Sequence, residues 1–382
     1  MDKKIFWIYA LSSSVYFTQG IETLPSQGLF YYLKETLNFS PEKIMIISTV
    51  TNAAWVIKPV LGYLIDNFFS KKIWIFISLF LDTAFVLGIG LINMPIAMLI
   101  AAILITSSST AIRDVSVDGI MCVEGKKHQM TGKIQSIQWI SINIAGLFVG
   151  IGGGFIAEKW GYKVGFLCLI PIYFIIALVA HLYHEDPRKN NKISGQDFLI
   201  NMKRLFADKR LMIVALFILL YKYSPSFGTP LFFIQRDSFK WGKIWIGWLG
   251  TISTLCGIAG SIVYYKFSTR INIKKWLFWS VFAGAITTLS YLYYTPLTAV
   301  VYDVVYSFVG MFIFLMVMDF MARNTASGFE ATSFAFLCSI SNIALFSSSL
   351  SGAFLLPVIG LKWLIIASSL TSFLCLPLIK RI

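Results

Sequence analysis

The stretch AIRDVSVDG, residues 111–119, carries Arg113, Asp114 and Asp118 directly after the apolar run MLIAAILITSSST. Glu22, Lys58, Asp82, Lys222, Asp303 and Asp319 also lie within long apolar stretches, and Glu330 opens another. An ionisable group in hydrocarbon costs about 2.5–3.5 kcal/mol on insertion scales, so it is kept where it faces a water-filled path, a partner or a ligand. Asp114 and Asp118 are four apart and share one helix face, with Arg113 turned about 100° from Asp114. At a rise of about 1.5 Å per residue, Lys222 and Asp82 fall near the middle of their segments. Two chemistries fit. One is internal neutralisation, Lys58 with Asp114 and Arg113 with Asp118. The other is proton exchange or ligand binding, because the carboxylates outnumber Lys58, Arg113 and Lys222, and a buried surplus must be protonated, hydrated or paired with a ligand. Candidates for substrate binding or proton coupling are therefore Glu22, Lys58, Arg113, Asp114, Asp118, Lys222 and Asp319. For Asp82 a structural hydrogen bond serves as well.

The elements that must hold these groups follow from composition. The chain has 382 residues, 57% hydrophobic and 13% charged, against about 25% charged in a soluble domain. Twelve segments reach the length of about 20 apolar residues that a membrane helix needs: 5–33, 42–66, 71–92, 95–121, 130–157, 162–183, 209–235, 241–266, 273–293, 296–322, 328–356 and 361–379. We refer to them as spans 1–12. The long polar stretch HEDPRKNNKISGQDFLINMKRLFADKR separates them into two sets of six. The expected organisation is an N-terminal bundle over 1–183, a cytoplasmic linker over 184–208 and a C-terminal bundle over 209–382. Most of the 32 Lys and Arg residues fall in loops on one side if both termini are cytoplasmic, which the positive-inside rule favours. The net charge of +14 is read as that bias and not as a nucleic-acid surface.

The halves repeat each other. PSQGLFYY (25–32) matches PSFGTPLFF (225–233), ISINIA (140–145) matches SISNIA (339–344), and GYLIDNFFSKKIWIF (62–76) matches GSIVYYKFSTRINIKKWLF (260–278). Two parallel six-helix repeats with a basic central loop have the form of a major facilitator, an all-α membrane protein of twelve transmembrane helices in two pseudo-symmetric six-helix bundles. In that fold the substrate binds near the membrane midplane. GYLIDNFFSKK resembles its cytoplasmic gate, with Gly62, Asp66, Lys71 and Lys72. Pro25 and Gly28 interrupt span 1, and Pro225 and Gly228 interrupt span 7 at the matching place, since Pro removes a rung of the helical ladder. GLFVGIGGG (146–154) reads as close helix packing. The five cysteines are scattered and form no CxxC pair, so neither a disulfide framework nor a zinc site is expected. His128, His181 and His184 read as loop or interface residues. Without a nucleophile–base pair, metal spacing or phosphate loop, the chain reads as no enzyme and as needing no cofactor or metal.

Six stretches carry a closer resemblance: LPSQGLFYYLKETLNFSPEKI, AWVIKPVLGYLIDNF, RDVSVDG, YSPSFGTPLFFI, GWLGTISTLCGIAGSIVYYK, and SGFEATSFAFLCSISNIA with Glu330, Thr332 and Asn342. Together they are similar to the folate–biopterin transporter family. Two departures stand out, Arg113 before the acid–Val pair and Gly119 in place of Ala. The resemblance implies a secondary transporter of alternating access, taking up folates or pterins by proton symport. A pterin's amino group and ring N–H could share one carboxylate among Asp114, Asp118 and Glu22, and Lys58, Arg113 or Lys222 could hold folate carboxylates. The expected partners are a folate- or pterin-like small molecule, protons and the lipid bilayer, with no nucleic acid. The expected state is a monomer in a bacterial inner (plasma) membrane. Three other readings stand beside this one: an exporter of drug-like or lipid-like amphiphiles, a carrier of another zwitterion such as S-adenosylmethionine, and a non-transporting sensor or scaffold.

Overall fold

The computed structural model describes residues 3–128, 130–185, 200, 203, 206–267, 271–325 and 330–381. Span 1 is α1 (Lys3–Ile21) and α2 (Ser26–Tyr31), continued by a π-helical turn over Tyr32–Thr36. Span 2 is α3 (Pro41–Thr51), a 3₁₀ turn at Ala53–Trp55 and α4 (Lys58–Asn67). Then come α5 (Lys71–Leu91), α6 (Ile96–Lys127), α7 (Thr131–Lys159), α8 (Gly161–Leu167) and α9 (Ile170–Leu182). The second half holds α10 (Lys209–Lys222), α11 (Gly228–Asp237), α12 (Lys243–Phe267), α13 (Ile273–Ser290), α14 (Pro296–Arg323), α15 (Glu330–Ser372) and the short α16 (Leu376–Ile379).

Local chemistry sets these ends. Ser70 caps α5 through Ile73 N–H, Asp208 caps α10 through Arg210 and Leu211 N–H, and Thr295 closes a capping box with Thr298 before Pro296 opens α14. Each cap satisfies donors that the first helical turn leaves free. Spans 11 and 12 are joined in α15, which turns at Gly360 with φ 73° and ψ 167°. A residue with a Cβ is strained there.

The helices gather into two units. The first takes Met1–Leu37, Val50–Phe198 and Lys243–Thr251, and the second Asn38–Thr49, Leu199–Gly242 and Ile252–Ile382. In the first, α1 lies along α7 and α5 along α6, around Ile8, Leu11, Ile75, Val86, Ile134 and Ile176. In the second, α10 and α13 pack on α15, around Leu211, Phe217, Leu277, Met316 and Leu337. Burial is inverted relative to a water-soluble domain. Phe80, Phe174 and Val358 are exposed, while Ser12, Thr18, Ser78, Asp82, Arg113 and Gln138 are buried. That pattern suits a hydrocarbon solvent, where polar side chains turn inward to find partners.

Candidate functional site

Arg113 on α6 is the largest fully buried side chain, at 1% exposure. One terminal nitrogen of its guanidinium donates to Asp82 Oδ2 on α5, and the other to Glu22 Oε1 in the turn after α1. The planar fork suits two acceptors at once. The same group lies 5.7 Å from the Tyr173 ring centre on α9, and Thr110 Oγ1 donates to Glu22 Oε2 at 2.8 Å. Four elements of the first unit thus meet at one cation. Asp82 is fully buried, and its Oδ1 has no hydrogen-bond partner among the described residues.

A second cluster sits one residue further along α6. Lys58 Nζ donates to Asp114 Oδ2 and lies 4.5 Å from the Trp55 ring centre. Lys58 is the first residue of α4, where the helix dipole disfavours a cation, and the Asp114 carboxylate offsets that. Asp118 accepts from Tyr16 Oη at 2.8 Å and from Gln138 Nε2 at 3.4 Å. Arg113 therefore turns to Glu22 and Asp82 and not to Asp118, while the Lys58–Asp114 pairing is present.

The sequence's gate residues form a third group. Lys71 Nζ pairs with Asp66 at 3.3 Å. The Lys71 stem crosses α6 at Gly119, where an added Cβ would stand 2.4 Å from Lys71 Cε. Gly62 is less tightly held, since an added Cβ would meet only Val115 Cγ1, at 3.8 Å. Lys72 Nζ donates to the carbonyls of His181 and Tyr183, and Glu185 accepts from the N–H groups of Lys71 and Lys72. A carboxylate at a helix N-terminus is favoured by the dipole and the free N–H groups.

In the second unit Lys222 ends α10, and its Nζ lies 5.4 Å from the Phe314 ring centre. No carboxylate pairs with it among the described residues. Asp319 receives the Arg323 fork at 2.9 and 2.8 Å and the Tyr264 hydroxyl at 2.9 Å. Pro225 falls in the break between α10 and α11, and its carbonyl accepts from Ser368 Oγ. Ser226 N–H reaches Ser348 O at 2.9 Å, so backbone freed by the break is satisfied within the unit, as a nonaqueous setting requires. Gly228 opens α11. In span 1, Pro25 precedes α2, and Gly28 packs on Tyr162, with 2.9 Å from an added Cβ to Tyr162 Cα. Asn342 lies on α15, half-buried. The side chains of Glu330 and Thr332 lie outside the described residues.

Several participants were not singled out from the sequence. Tyr16, Thr110 and Gln138 are neutral side chains in apolar helices, and only their partners mark them. Glu124, buried, pairs with Lys4 at 3.1 Å. Glu185 reads as linker until the start of α5 is seen beside it. The break before Lys58 leaves a faint trace in Pro59, which takes the second position of α4.

An all-helical, apolar chain with charges turned inward belongs with membrane carriers, and the solved structures it is similar to bear this out for the fold. The nucleoside transporter NupG superposes with a TM-score of 0.73 at 19% identity over 100% of both chains. A D-xylose–proton symporter superposes with a TM-score of 0.76 at 13% identity over 99% of both. The chain is an integral multi-pass membrane protein with the major facilitator fold, twelve transmembrane helices in two bundles. It belongs to the BT1 family, whose model matches residues 19–382. Curated relatives include the folate-biopterin transporter of Synechocystis, 23% identical over 97% of this chain and 81% of that one. Folate transporter 1 of Plasmodium falciparum is 23% identical over 88% of this chain and 70% of its own length. The family and neighbours are transporters, not enzymes.

Proposed function

We propose that this protein takes up folate- or pterin-like metabolites by proton symport, as a monomer in a bacterial inner membrane with both termini cytoplasmic. On this reading two six-helix halves, 1–183 and 209–382, alternate access to either side, joined by the linker 184–208. The names of the relatives support the substrate class. The observation that carries the reading is the imbalance of charge inside the apolar first unit: Glu22, Asp82, Asp114 and Asp118 against Lys58 and Arg113. Full ionisation leaves a net negative interior, which favours a proton or a ligand bearing N–H donors. A pterin presents an amino group beside a ring N–H, and a carboxylate accepts both. Lys222, with no acid paired to it among the described residues, suits the carboxylates of a folate tail.

The test is uptake of radiolabelled folate and of a simple pterin into proteoliposomes, with and without an inward proton gradient. Uptake raised by the gradient supports symport. Uptake indifferent to it removes the proton from the reading and leaves facilitated transport. No uptake of either compound by folded protein removes the substrate class, and S-adenosylmethionine becomes the next ligand to assay.

A further inference from the structure

Resting on the symport reading, we propose that Asp118 is the carboxylate that binds the coupled proton, and that Gln138 accepts a hydrogen bond from its protonated form. Three other acids within the apolar spans of the first unit, Glu22, Asp82 and Asp114, are each paired with a cation. Glu22 is bonded by Arg113 and Thr110, and Asp114 by Lys58. Asp82 is held by Arg113 and fully buried. Asp118 is half-buried and pairs with no cation among the described residues. In the second half, Asp319 has Arg323 four residues on, in a bidentate fork. The residue four beyond Asp118 is Cys122.

Gln138 supplies the independent observation. It is fully buried, and its Oε1 has no hydrogen-bond donor among the described residues. Its Nε2 makes only a long contact, 3.4 Å, to Asp118 Oδ1. An orphaned amide oxygen in the interior is costly, and an ionised carboxylate cannot relieve it, because it only accepts. A carboxylic acid can. Rotating the amide by half a turn brings Oε1 to the carboxyl group, and the arriving proton becomes the missing donor. Amide oxygen and nitrogen are nearly the same shape, so the rotation needs no new space. The proton comes from water and rests on an Asp118 oxygen, and no other bond changes.

The groups facing Asp118 make this a switch between helices. Tyr16 on α1 donates to the carboxylate, and the charges acting on it are Asp114 and Lys58. Lys71 crosses α6 at the next residue, Gly119, and is tied to Asp66. Ionised Asp118 repels Asp114 and competes with it for Lys58. Protonated Asp118 does neither, and its bond shifts weight from Tyr16 on α1 to Gln138 on α7. Asp303 on α14 also has no ion pair among the described residues, but no buried orphan acceptor is seen at its carboxyl group. It is the natural competitor.

Infrared pH-difference spectroscopy of the purified full-length protein decides between them, with no substrate present. Subtracting the Asp118→Asn spectra, which carry the bands of the other carboxylates, is expected to leave one protonated-carboxyl band that grows in the wild type as pH falls. Gln138→Leu is expected to keep the band but weaken proton affinity about tenfold, the loss of one hydrogen bond to the acid, and it carries the test where Asp118→Asn does not fold. A subtraction that leaves no such band, a band unmoved in Gln138→Leu, or one lost instead in Asp303→Asn overturns the proposal. In proteoliposomes, uptake by Asp118→Asn is expected to lose its response to the proton gradient. Wild-type uptake with no such response defeats the symport reading itself, a failure separate from that of the Asp118 assignment, which the spectra read directly.

Discussion

Removing the Arg113 guanidinium leaves Glu22 and Asp82 facing each other across a buried gap with no cation between them. Breaking a buried pair in this way costs on the order of 3–5 kcal/mol, because the remaining charge stays desolvated. Arg113→Ala should therefore unfold at markedly lower temperature in detergent. Adding Asp82→Asn should recover part of the loss, since it removes one of the stranded charges. A thermal-unfolding cycle of the two single variants and the double variant measures this, and simple additivity would show that the pair is not coupled. Lys222 calls for a different outcome. No acid among the described residues holds it, so Lys222→Ala should leave thermal stability within about 1 kcal/mol of wild type, as expected where no ion pair is broken. Its effect should fall on ligands instead. KM for folate should rise at least about tenfold, the worth of one charge-assisted hydrogen bond, while KM for a pterin without carboxylates stays put. Equal rises for both compounds would argue against Lys222 contacting the folate tail.

The helices set which of these side chains can meet, and here the sequence was uneven. The twelve spans were readable because each must hold about 20 apolar residues, a signal that tolerates soft ends. The breaks of spans 1 and 7 were readable from Pro25 and Pro225. The break of span 2 was not, because a one-turn 3₁₀ interruption at Ala53–Trp55 leaves the hydropathy almost untouched. Spacing along α6 placed Asp114 and Asp118 on one face, but it names no partner on another helix. Lys58–Asp114 could be guessed, whereas the choice of Glu22 and Asp82 by Arg113 depends on how α1, α5 and α6 pack. Gly119 tests the reverse inference, from packing to sequence. An alanine there would stand 2.4 Å from Lys71 Cε, and the flexible lysine stem can swing away. Gly119→Ala should cost less than about 1 kcal/mol of stability, since only a flexible side chain is displaced, yet abolish the Lys71–Asp66 pair. Combining it with Asp66→Asn should then add nothing to its transport defect. Full additivity in a proteoliposome assay would mean that Gly119 acts elsewhere.

Charge conservation over a full transport cycle gives the sharpest consequence of a single titrating carboxylate. Folate carries two side-chain carboxylates that are ionised near neutral pH, so folate entering with one proton moves a net negative charge inward. A neutral pterin entering with one proton moves a net positive charge inward. A membrane potential acts on each charge by about 2.3 kcal/mol per 100 mV, and it acts on the two cycles with opposite sign. In proteoliposomes clamped with potassium and valinomycin, an inside-negative potential should therefore slow folate uptake and speed pterin uptake at the same proton gradient. If both are accelerated, folate must travel with at least three protons, and Asp118 cannot be the only coupling site. If neither responds, folate is taking two protons and the pterin none, and the coupling chemistry moves from a fixed carboxylate to the substrate's own acids. A slowed folate and a speeded pterin would tie one proton to one turnover, which is the stoichiometry expected when Glu22, Asp82, Asp114 and Glu124 are already committed to Arg113, Lys58 or Lys4.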